Sequence, residues 1–140
     1  MTVDRLVVLW DNGKDKLSIC PVSPEQEYKY IDGIPSVTFG ISYENESFKG
    51  FDIFTLFDHF YDDTINKLRS LRDTLSGSFR VEDNGCDTDG YLDFNMSRGR
   101  LSVKGRLGAS FSAHSLSFEF EADQTLTEAL LKALSVGVES

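Results

Sequence analysis

Three runs in the second half of the chain constrain the fold most: "YLDFNMS" (91–97), "GRLSVKGRL" (99–107) and "HSLSFEFE" (114–121). Each alternates apolar with polar residues. Successive side chains of a strand point to opposite faces, so alternation marks strands with one dry side. Leu92, Phe94 and Met96, then Leu101, Val103 and Leu107, then Leu116, Phe118 and Phe120 are read as the dry side, with Gly105 on that face. Glu119 and Glu121 fall on the wet side. A hairpin whose paired positions sum to 221 sets Leu101 against Phe120, Val103 against Phe118 and Arg100 against Glu121. Such cross-strand pairs contribute roughly 0.2–1 kcal/mol each.

The rest of the chain adds strands and two helices. "RLVVLWD" (5–11) and "KLSICPV" (16–22) flank "NGKD", and Asn-Gly between apolar runs predicts a hairpin. Residues 21–35 hold all three prolines and are read as a loop. "SVTFGISYENESF" (36–48) alternates, with Val37, Phe39, Ile41 and Tyr43 on one face. "FDIFTLFDHFYDDTINKLRSLRDTLSG" (51–77) predicts a helix of about 24 residues, roughly 36 Å long, with Asp52 as N-cap and Gly77 just past its end. Its apolar stripe is Phe54, Phe57, Tyr61, Ile65, Leu68, Leu71 and Leu75. "SFRVED" (78–83) is a further strand. A closing helix begins near Thr125, where Thr125 and Glu128 have the spacing of a capping box and Asp123 adds negative charge.

Little here points to chemistry. The spacing of Glu119, Glu121 and Asp123 follows from strand alternation and a helix cap, with no need of a carboxylate site. "DTDG" (87–90) glances at a calcium loop, but Gly85 and Met96 would occupy the positions that require acids. His59 and His114 lack zinc spacing. Cys20 and Cys86 have no CxxC partner and are read as thiols. There is no phosphate loop, dinucleotide fingerprint or nucleophile elbow. The implied class is a non-enzymatic binding protein without cofactor or metal.

Charge narrows the partner. The net charge is −9. Residues 1–63 hold 12 acids and 5 bases, net −7; residues 64–140 hold 11 acids and 9 bases, net −2. Phosphate repulsion argues against nucleic acid. The same acidity suits a basic protein partner, through Glu44, Glu46, Asp58, Asp62 and Asp63, or serves solubility alone. No apolar run approaches the ~20 residues of a membrane span, and the N-terminus lacks the pattern of a signal peptide, so a cytoplasmic protein is expected.

The C-terminal half carries a resemblance. A helix ending "LRDTLSGSFRVED", then "GYLDFNMSRGRLSVKGRLG", then "HSLSFEFEADQTLTEALLKAL" resembles the small bacterial immunity proteins of the wall-associated-protein immunity family, over roughly residues 50–135. "FEFEADQT" is the most specific part. Arg100 stands where some of those proteins have His, and the first 50 residues match loosely. The resemblance implies an antidote that binds the C-terminal domain of a cognate polymorphic toxin, often a basic nuclease.

The expectation is therefore one α+β domain over residues 1–140. It has an antiparallel sheet of about six or seven strands, one long helix on a face, and a C-terminal helix. It would act as monomer or homodimer against a basic toxin domain, with no nucleic acid, membrane or cofactor. The runner-up is a small structural or regulatory domain that binds a cellular protein.

Overall fold

In the computed structural model, the described residues are 6–21, 30–31, 34–82, 90–108 and 115–139, with side chains described within 6–20, 38–56, 60–82, 90–108 and 115–134. In chain order these are β1 (Val7–Asp11), β2 (Lys16–Pro21), β3 (Tyr30–Ile31), β4 (Ile34–Glu44), β5 (Lys49–Phe57), α1 (Asp58–Thr74), β6 (Ser76–Glu82), β7 (Tyr91–Ser97), β8 (Arg100–Gly108), β9 (Ser115–Asp123) and α2 (Gln124–Glu139).

The architecture is α+β, as expected, but the strands divide between two antiparallel sheets instead of forming one. The first runs β1-β2-β4-β5, with the two-residue β3 paired to the start of β4. The second runs β6-β7-β8-β9. Their apolar faces and both helices share one core. Leu17, Ile19, Phe39, Ile41, Tyr43, Phe54 and Leu56 come from the first sheet; Leu92, Phe94, Met96, Leu101, Val103, Leu107, Phe118 and Phe120 come from the second. The alternation read in 91–97, 99–107 and 114–121 is thus the core side, with Leu116 half-buried.

The long helix is shorter than expected. Residues 51–57 form β5, paired with β4 from Glu44↔Lys49 to Ser36↔Phe57. The turn between them explains this. Asn45 Oδ1 accepts the amides of Ser47 at 2.9 Å and Phe48 at 2.8 Å, so the chain reverses at "ENESFK". The aromatic and β-branched residues that follow suit a pleated surface. Asp52 is therefore a strand residue and caps no helix. The helical stripe is confirmed from Tyr61 onward, through Ile65, Leu68 and Leu71. The helix ends at Thr74, and Leu75 instead of Gly77 is the residue just past its end. Leu75 takes a left-handed φ of 56°, and its amide donates to the Leu71 carbonyl at 2.9 Å.

Two more expectations shift by small steps. Strands β8 and β9 pair as Leu101↔Ala122, Val103↔Phe120 and Gly105↔Phe118, two residues from the expected register. A two-residue slip preserves the faces, so burial alone does not choose between the two registers. Gly105 explains the choice: a Cβ there would run into Phe118 Cζ and lie 2.9 Å from Leu92 Cδ2, so the missing side chain is the space the Phe118 ring fills. At the start of α2, Asp123 replaces Thr125 as the cap. Its Oδ1 accepts the Thr125 amide at 2.9 Å and the Thr125 hydroxyl at 2.5 Å.

The segment 21–35, expected to be loop, contributes the end of β2, β3 and the start of β4. The "DTDG" run, Cys86 and His114 lie outside the described residues, as do the side chains of Asp58 and His59; Cys20 is buried in β2.

Candidate protein-binding surface

Two turns build one end of the first sheet. In β1–β2, Asn12 Oδ1 accepts the amides of Lys14 and Asp15, Asp11 Oδ1 accepts that of Gly13, and Gly13 sits at φ 85°. This is the expected hairpin, with a four-residue turn in which Gly13 alone is left-handed. In β4–β5 the turn is organised by Asn45 in the same way. Because Lys16 pairs with Glu44, the two turns lie side by side.

Tyr43 locks them together. Its hydroxyl donates to Asp15 Oδ1 at 2.5 Å and accepts from Asn45 Nδ2 at 3.1 Å. Its ring stacks on Phe118 of the second sheet, with centroids 4.1 Å apart and planes 2° from parallel. Burial, and then the Asp15 carboxylate, raise the phenol's pKa above its ordinary value. A single side chain thus joins a core aromatic stack to the polar turn end.

Above Tyr43 opens a cleft of about 250 Å³ lined by Asp11, Gly13, Lys14, Asp15, Lys16, Glu44, Asn45 and Glu46. Of the acids expected to bind a partner, Glu44 and Glu46 are here, both exposed. Asp11 and Asp15 join them. Sequence reasoning counted those two only toward net charge; the signal that could have found them is the Asn-Gly turn that brings them together.

Asp62 and Asp63 are exposed on α1, and Asp58 opens that helix. They are not gathered with Glu44 and Glu46. Strand β5 leads from the Glu44 pair to the helix start, and its nine residues span roughly 26 Å at strand rise. The expected acidic surface is therefore two surfaces.

Register also places charges in two rows. Asp11, Lys16, Glu44 and Lys49 lie side by side across the four strands of the first sheet, alternating in sign. On the outer face of the second sheet Arg80, Asp93, Lys104 and Glu119 do the same. There Arg80 meets Asp93 through two hydrogen bonds, of 2.6 and 2.9 Å, which hold the guanidinium pKa up. The guanidinium also lies 4.0 Å from the centre of the Tyr91 ring. Glu119 therefore belongs to a charge ladder, as strand alternation implied. Glu44 is flanked by lysines, which leaves Glu46 as the less compensated acid of the pair.

Among the described residues, no group of three or more His, Cys, Asp or Glu side chains is arranged to hold a metal, and no helix is long and apolar enough to cross a membrane.

No family model and no curated protein matches the chain. Among solved structures, that of the plant transcriptional regulator PBF-2 is similar: the TM-score is 0.50 at 13% identity, over 96% of this chain and 81% of that one. At that identity the likeness shows a shared fold and nothing further.

Proposed function

We propose that this chain is an immunity protein of the cytoplasm. It binds the C-terminal domain of a cognate polymorphic, contact-dependent toxin and neutralises it without catalysing any reaction. The observation that carries this reading is the acid-rich turn end. Asp11, Asp15, Glu44 and Glu46 outnumber Lys14 and Lys16 around one open cleft, whose turns are held by Tyr43, Asn12 and Asn45. Preformed acidic turns suit recognition of a basic surface, because little side-chain and loop ordering remains to be lost on binding. A basic cleft that handles phosphates in a nuclease toxin has the complementary charge, and its occupation would exclude the substrate. The resemblance of residues 50–135 to immunity proteins supports the choice of a toxin over other basic partners.

The acids Asp58, Asp62 and Asp63 belong to this reading as a second, separate contact or as a long-range steering charge. Net charge disfavours nucleic acid as the ligand. A second reading is a small structural or regulatory domain that binds a cellular protein; the same acid-lined cleft would suit any basic partner.

The two are separated by co-expression. A toxin-like C-terminal domain encoded beside this chain's gene would be expressed alone and with this protein. Rescue of growth supports the immunity reading. Persistent toxicity, with both proteins present and soluble, removes it in favour of the second.

A further inference from the structure

We propose that Asn12-Gly13 is a self-modification site that the Tyr43 hydroxyl keeps shut. When the β1–β2 turn opens, the Gly13 nitrogen attacks the Asn12 side-chain amide and residue 12 becomes aspartate or isoaspartate. The two residues have the chemistry for it. Glycine leaves its own nitrogen unhindered, and a Cβ at Gly13 would meet no atom within 4 Å. Both residues are exposed. In the step, a bond forms between the Gly13 nitrogen and Asn12 Cγ, and the bond from Cγ to Nδ2 breaks. Nδ2 takes the Gly13 amide proton and leaves as ammonia. Water then opens the cyclic imide. Opening at Cγ gives aspartate. Opening at the main-chain carbonyl gives isoaspartate, whose backbone runs through the former side chain.

The closed turn occupies both reacting groups. The Gly13 amide donates to Asp11 Oδ1 at 2.9 Å, so the nucleophile is engaged by a carboxylate. Asn12 Oδ1 accepts the amides of Lys14 at 2.9 Å and Asp15 at 2.7 Å, which commits the side-chain amide to the residues beyond Gly13. Asp15 is fixed in its turn. The Asn12 amide donates to its carbonyl at 3.3 Å, and the Tyr43 hydroxyl donates to its Oδ1 at 2.5 Å. Tyr43 is 2% exposed and stacks on Phe118, so its hydroxyl cannot follow the turn outward. Exposed turns held by local side-chain hydrogen bonds open at low cost, and an anchor in the core raises that cost. Isoaspartate adds a methylene to the main chain, and the amides of Lys14 and Asp15 lose their acceptor. Conversion therefore dismantles the acid-rich turn end irreversibly.

Peptide mapping by mass spectrometry tests this on the whole chain, incubated folded and in urea at one pH and temperature. Conversion at position 12 should be slowest in the folded native protein and fastest in the unfolded chain. Folded Tyr43→Phe should convert roughly 2- to 10-fold faster than the native protein, the shift in opening that one or two lost hydrogen bonds produce. Asp123→Ala, which weakens the cap of α2 at the end of the second sheet, should keep the native rate. Melting curves monitor the fold of each variant. Should Tyr43→Phe fail to fold, Asp11→Ala replaces it: that residue is exposed, and releasing the Gly13 amide should raise the rate likewise. Folded native protein that converts as fast as the unfolded chain overturns the proposal. So does a native rate in Tyr43→Phe, or in Asp11→Ala where it stands in. An Asp123→Ala protein that accelerates as much as Tyr43→Phe also overturns it, because global unfolding would then be the route.

Discussion

The Asp52 carboxylate accepts the backbone amide of Gly108 at 2.7 Å, binding β5 of the first sheet to the last residue of β8 in the second. The two sheets meet along this seam. Nearby, a Cβ on Gly50 would lie 2.7 Å from Leu116 Cδ2, so the backbones approach as closely as the absent side chain allows. Tyr43 stacked on Phe118 closes the same junction.

Asp52→Ala should therefore destabilise by about 1–3 kcal/mol, because a part-buried amide loses a charged acceptor. Helical circular dichroism should be unchanged below the transition. Urea melts followed by far-ultraviolet dichroism test both points. Loss of helix without loss of sheet stability would restore Asp52 to a capping role.

Tyr43→Phe should cost roughly 0.5–1.5 kcal/mol at neutral pH through its lost hydrogen bonds. The phenol's raised pKa adds a pH signature. The folded state holds the proton more tightly than the unfolded state, so this stability is complete below the ordinary tyrosine pKa of about 10. It is lost as pH rises from there through the folded value. Melts at rising alkaline pH should show a steeper decline for the native protein than for Tyr43→Phe. Parallel curves would mean that the hydroxyl is not linked to folding.

At the start of α2 the cap should respond to Asp123 more than to Thr125. Asp123→Ala is expected to lower stability by about 0.5–2 kcal/mol, as loss of an N-cap does. Thr125→Ala should have a smaller effect, since its amide keeps the Asp123 acceptor. The reverse order in thermal melts would favour the capping box.

Within the second sheet, Phe118→Ala should cost roughly 3–5 kcal/mol and Glu119→Ala under about 1 kcal/mol. Gly105→Ala should cost about 1–3 kcal/mol, by forcing the Phe118 ring aside. A Gly105→Ala protein as stable as the native one would show that the ring has room to move, and the register would need another cause.

Much of this was legible in the residues because period-two patterns are local. Leu92 to Met96, Leu101 to Leu107 and Phe118 to Phe120 declare their core faces unaided. The register of β8 on β9 was not legible, since a two-residue slip leaves every face intact and Gly105 decides it through a contact with a distant ring. Residues 51–57 satisfy two periods at once. Phe54 and Phe57 extend the helix stripe backward, while Phe51, Ile53, Thr55 and Phe57 alternate. The reversal at Asn45 and the pairing with β4 settle the matter, and neither lies within the run. Division into two sheets depends on packing between distant strands, to which no local pattern corresponds. At the candidate surface Glu44 and Glu46 were legible as exposed acids. Their company with Asp11 and Asp15, and their separation from Asp62 and Asp63, come from the order of strands.

The immunity reading is tested most directly where a toxin-like C-terminal domain is encoded beside this chain's gene, by titrating that purified domain with this protein while following its activity. Activity should fall linearly to a low plateau at a fixed molar ratio. Replacing Glu44 and Glu46 by Gln, or Asp58, Asp62 and Asp63 by Asn, should slow association and weaken its salt dependence without unfolding the chain. Full toxin activity in the presence of excess folded protein would contradict the reading.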